Sequence, residues 1–137
     1  MLDLTKFNLD WLNAERKATK ESERHHQRDN VELQFYDFPE KADVRVESCA
    51  LCERHRGDCE ECVLEPCSQP GSPYMKMWDA WKDKDFPAFH DAAVEQVTTL
   101  KCKGELLDAE IAGREAPACH RHLLGQAGPR DELWILW

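Results

Sequence analysis

The stretch Cys49-Ala50-Leu51-Cys52-Glu53-Arg54-His55-Arg56-Gly57-Asp58-Cys59-Glu60-Glu61-Cys62-Val63-Leu64-Glu65-Pro66-Cys67 decides how this 137-residue chain is read. Its spacing is C-x2-C-x6-C-x2-C-x4-C. A C-x2-C pair on a tight turn points two thiolates at one ion, and two such contributions complete a tetrahedral site. Soft thiolate ligands select zinc or an iron–sulfur cluster over hard cations. The spacing matches neither common ferredoxin pattern, so a structural zinc ion is the expected cofactor. Cys49, Cys52, Cys62 and Cys67 are the expected ligands, with Cys59 as the alternate for either of the last two. From Cys49 to Pro73 there are few large apolar residues. Burial cannot offset the chain entropy of such a stretch, and a metal staple can.

The alternative use of seven cysteines is a disulfide framework, which requires export. The start, Met1-Leu2-Asp3-Leu4-Thr5-Lys6, lacks the basic residues and apolar run of a signal peptide, and no apolar stretch is long enough to span a membrane. The expectation is a reduced, cytoplasmic protein without a membrane segment. A second metal recruiting His55, Cys102, Cys119, His120 or His122 stays open, while Cys102 by itself reads as a buried thiol.

Working outward, Leu4, Phe7, Trp11, Ala14 and Ala18 recur at helical spacing, with Asn8 or Thr5 as the cap. The polar run from Lys20 to Asn30 extends that helix into solvent or frays, and His25-His26 reads as solvated. Val31-Glu32-Leu33-Gln34-Phe35-Tyr36 alternates with period two, as does Val44-Arg45-Val46, which predicts a β-hairpin over 31–48. After the cysteines, Ser72-Pro73 reads as an N-cap followed by proline at the first helical position. Tyr74, Met77, Trp78 and Trp81 mark one helix. Phe86, Phe89, Ala93, Val97 and Leu100 mark a second, ending at Gly104 or continuing to Gly113. The chain closes on Leu133-Trp134-Ile135-Leu136-Trp137. This end reads as a last strand, or as a partner anchor carried by Trp134 and Trp137.

The expected fold is therefore α+β, a single zinc-stapled domain over 1–137. Its parts are a helical arm (1–30), the hairpin (31–48), the zinc-binding segment (49–71), helices (72–113) and a tail with an apolar end (114–137).

Cys49-Ala50-Leu51-Cys52, Cys59-Glu60-Glu61-Cys62, Cys67 and Ser72-Pro73-Tyr74, with Trp78 beyond, together resemble a group of small uncharacterised bacteriophage proteins. That group pairs two C-x2-C units with a further Cys and a Ser/Thr-Pro-Tyr helix start. Residues 48–103 carry the resemblance; the Pro that often follows the second pair in the group is replaced here by Val63. The resemblance implies a metal-stapled fold and a phage or prophage origin, and brings no activity with it.

A net charge of −9 opposes binding to a phosphate backbone and favours a partner with a basic surface. The expected function is a non-enzymatic zinc-binding module that binds or inhibits a host or antiviral-defence protein, an anti-CRISPR-like role among them. The alternatives are a nucleic-acid-binding zinc module, with Arg54, Arg56, Lys76, Lys82 and Lys84 on one face, and a small metal-dependent hydrolase. Cys119-His120-Arg121-His122 lacks the upstream parts of a nuclease motif, and no pair of carboxylates stands out as an acid–base couple.

Overall fold

The computed structural model describes residues 3–45, 49–55, 62–64 and 71–119. Asn8 Oδ1 accepts the Trp11 N–H at 2.9 Å, satisfying one of the orphan amides that open helix α1, Leu9–His26. The polar run does not fray: α1 passes directly into a π-helical turn, Gln27–Val31. Helix α2 is the short Ala50–His55. Helix α3, Pro73–Lys82, starts as its sequence predicts, with Ser72 Oγ accepting the Met75 N–H at 3.2 Å. Asp85 caps α4, Phe86–Ala112, which ends at Gly113 in the left-handed conformation, φ 69°.

Among the described residues there is no strand, so the α+β expectation and the hairpin over 31–48 are both corrected. The physical reason lies in Asn30. Its Oδ1 accepts the Asp43 N–H at 2.8 Å and its Nδ2 donates to the Asp43 carbonyl at 2.9 Å. One buried side-chain amide thus takes both backbone groups that a pairing strand would have used. The apolar residues of the supposed hairpin go elsewhere. Val31, Leu33, Phe38 and Ala42 pack onto a core of Val44, Met77, Ala80, Phe89, Ala92 and Ala93. Phe35–Asp37 is a 3-10 turn, followed by a cis Phe38–Pro39 peptide.

Helix α4 is the spine. Its first half packs against α3 in that core, and its second half supplies Leu100, Leu106 and Leu107 to another, built with Leu12, Ala18, Cys49, Leu51, Cys62, Val63 and Leu64. It runs straight through Gly104, where the sequence offered an end. A Cβ at Gly104 would meet Thr19 Cγ2 at 3.9 Å and Lys20 Cε at 4.0 Å, ordinary van der Waals contact. Gly104→Ala is therefore expected to stabilise the protein by about 0.5–1 kcal/mol through helix propensity, seen as a higher urea midpoint. A lower midpoint would mean that α1 and α4 approach too closely there for a methyl group.

Candidate metal centre

The residues that position the cysteines lie on α1 and its π-helical turn, three of them in the run that composition marks as solvated. Glu15, Thr19, Ser22, His26 and Asn30 follow one another at steps of four, three, four and four, so they share a helix face. All five are buried, at 0–2% exposure. Burial of so many polar groups is tolerated only where each has a partner. Thr19 bonds its own helix at the Glu15 carbonyl, and the others reach for the returning chain.

Ser22 and His26 address Cys49. Ser22 Oγ accepts the Leu51 N–H at 3.1 Å and lies 3.3 Å from Cys49 Sγ. His26 is oriented by Asn30, whose Nδ2 is 3.1 Å from His26 Nδ1. The amide of Asn30 cannot flip, because Asp43 fixes which end is oxygen. Nδ1 of His26 must therefore accept, and the neutral ring carries its proton on Nε2. Nε2 is buried with no hydrogen-bond partner among the described residues, and the His26 side chain favours the charged form of Cys49.

These contacts hold Cys49 as a thiolate. Its pKa is lowered to about 3, chiefly by the Cys52 side chain one helical turn away. Burial opposes the shift, while His26, Ser22 and the Cys52 N–H assist it. Cys49 stands where an N-cap Ser or Asp usually does, immediately ahead of α2. A thiolate is the form that ligates zinc. The pair Cys49 and Cys52 therefore fits a soft metal ion, with Ser22 as the outer group that hydrogen-bonds the ligand and His26 as a second polar neighbour.

Cys62 enters the same core, with its Sγ accepting the Leu64 N–H at 3.4 Å. It also lies beside Glu15 and His55, the ligand atoms of all three within 4.8 Å of one another. Glu15 is the anchor of this corner. Its Oε1 accepts from Arg54 Nε at 2.7 Å and faces His55 Nε2 at 2.7 Å; its Oε2 accepts the Val63 N–H at 2.9 Å. Arg54 also sits over the Trp11 ring, 5.4 Å from its centroid. With Glu15 as acceptor, His55 donates from Nε2 and is occupied as a fold contact rather than presented to a metal.

Of the expected ligands, the structure brings Cys49 and Cys52 together and places Cys62 in their core; Cys67 and the alternate Cys59 lie outside the described residues. So do His120, His122, Trp134, Trp137 and the proposed terminal strand. Cys102 is buried as expected but is not a thiol: it is joined to Cys119, Cα–Cα 5.8 Å, which corrects the expectation of a fully reduced chain and, in this form, keeps both from a second metal. His26 is buried, not solvated. Its neighbour His25 bridges Asp29 at 3.0 Å and Asp43 at 3.3 Å through its two ring nitrogens. Ser22, His26, Asn30 and Glu15 escaped the sequence reading; their helical spacing was the available signal, masked by the surrounding charges.

No protein-family model, curated protein or solved structure matches this chain. None of its helices, among the described residues, is long and apolar enough to cross a membrane.

Proposed function

We propose that this chain is a non-enzymatic, zinc-stapled helical module that works by binding another protein. The observation that carries the reading is the thiolate environment of Cys49, buried behind α1 with Cys52 beside it. Cys49, Cys52, Cys62 and Cys67 would hold the ion, with Cys59 as the alternate. Zinc there would supply cross-linking to a segment too poor in apolar residues to fold by burial. The proposed setting is the cytoplasm of a phage-infected cell, with a basic host or antiviral-defence protein as partner, an anti-CRISPR-like role among the possibilities that the resemblance to phage proteins raises.

Two observations weigh against the nucleic-acid alternative. Arg54 is committed to Glu15, and Lys76 lies 3.2 Å from Glu95, so two of the five cations such a surface would gather already face carboxylates. The hydrolase alternative needs an open coordination position filled by water. Elemental analysis followed by cobalt substitution tests the proposal. About one metal per chain, with the visible spectrum of tetrahedral tetrathiolate cobalt, is the expected result. A spectrum with a water or carboxylate ligand would favour the hydrolase, and absence of metal from the reduced protein would remove the staple.

A further inference from the structure

A cleft of about 1080 Å³ lies between α3 and residues 40–45, at the core that does not contain the cysteines. Tyr74, Trp78 and Trp81 line it from one face of α3, at i, i+4 and i+7. The rings of Trp78 and Trp81 stack, 5.2 Å between centroids and 17° between planes. The polar ends of two of these residues are already used: Tyr74 donates to the Val44 carbonyl at 2.7 Å, and Trp81 Nε1 donates to the Pro39 carbonyl at 3.2 Å. What α3 offers the cleft is therefore π surface, whose electron-rich faces attract cations.

The rim agrees in sign. The two cations that line the cleft are turned toward carboxylates of their own segment, Lys41 to Asp37 at 3.4 Å and Arg45 to Asp43 at 3.2 Å. Glu40 is exposed at the same rim, and among the described residues no hydrogen bond or ion pair engages it. An unpaired carboxylate beside aromatic faces, on a chain of net charge −9, complements a cation carried on an apolar stem. The volume is at or above the upper end of the roughly 300–1,000 Å³ typical of small-molecule sites, which suits a length of chain better than a metabolite.

We propose that this cleft docks a basic peptide segment of the partner protein, with an arginine or lysine stem against the aromatic wall and its charge at Glu40. The proposal rests on the binding-module reading above and is independent of the metal.

The test is equilibrium binding of a fluorescently labelled octa-arginine peptide to the full chain at about 0.15 M salt, where long-range attraction is largely screened. Octa-glutamate serves as the opposite-charge control. Glu40→Lys is expected to weaken octa-arginine binding about tenfold or more. Asp10→Lys makes the same change in net charge on the exposed first turn of α1 and should alter binding less than about twofold. Trp78→Phe, which keeps an aromatic ring in place, should weaken it several-fold.

Equal weakening by the two charge reversals would reduce the effect to general attraction and overturn the proposal, as would no octa-arginine binding at all. Loss of binding with metal content intact would count against the cleft alone. A metal-free protein that still binds would count against the staple alone.

Discussion

Glu15→Ala is expected to cost about 3–5 kcal/mol, the largest single-residue effect in this protein, because it strands partners that were brought into the interior to meet one carboxylate. Glu15 is fully buried, and Arg54, His55 and the Val63 N–H all converge on its two oxygens. Removing the carboxylate leaves a partly buried guanidinium with the Trp11 carbonyl in place of its charged partner, strands the buried Val63 amide, and opens a cavity at the joint of α1, α2 and residues 62–64. Against a typical total of about 5–15 kcal/mol, the loss approaches unfolding. Glu15→Gln should also destabilise, since its amide nitrogen adds a donor where donors already converge. The comparison is Arg16→Ala on the same helix. Its ion pair with Asp108 is solvent-exposed, and exposed pairs contribute about 0–1 kcal/mol. Urea unfolding followed by far-ultraviolet circular dichroism reads both. Similar midpoints for Glu15→Ala and Arg16→Ala would show that the buried carboxylate does not organise this corner.

Chelation of the reduced protein should produce the second large effect. A ligand that binds only the folded state at a thousandfold excess over its Kd stabilises by about 4 kcal/mol. For a chain of this size that corresponds to a melting temperature lowered by roughly 10–20 °C when the metal is stripped. Cys49→Ser should reproduce the loss and should make the melting temperature insensitive to chelator. Serine preserves the cap at the head of α2 but provides no thiolate, so a variant with unchanged melting would refute a metal bound through Cys49. The loss should be partial rather than complete. The core of Val44, Met77, Phe89 and Ala93 contains no cysteine, and α3 with the first half of α4 has its own packing.

Local chemistry was legible wherever neighbouring residues decide the outcome. Ser72 caps α3 and the Tyr74, Met77, Trp78 and Trp81 spacing marks it; Asn8 and Gly113, each one of two candidates in the sequence, cap α1 and terminate α4. The C-x2-C pair likewise announced Cys49 and Cys52 as a unit, because four residues on one turn leave their side chains little choice. The hairpin failed for a reason visible in particular residues. Alternation over 31–36 and 44–46 measures only which faces are apolar, and cannot see that the amide of Asn30 will occupy the backbone of Asp43.

The same blindness hid the site. Ser22, His26 and Asn30 read as solvated polar residues in a charged run, because composition averages over a helix whose faces differ. The tertiary structure made that face interior by laying α1 against α4 and α2, and burial turned each hydroxyl, ring nitrogen and amide into a group that must find a partner. Contacts a few residues apart made the starts of α3 and α4 and the pairing of Cys49 with Cys52 readable from residue order. That a polar stripe, rather than an apolar one, holds the cysteine segment in place follows from packing, because it depends on which face of α1 loses its water.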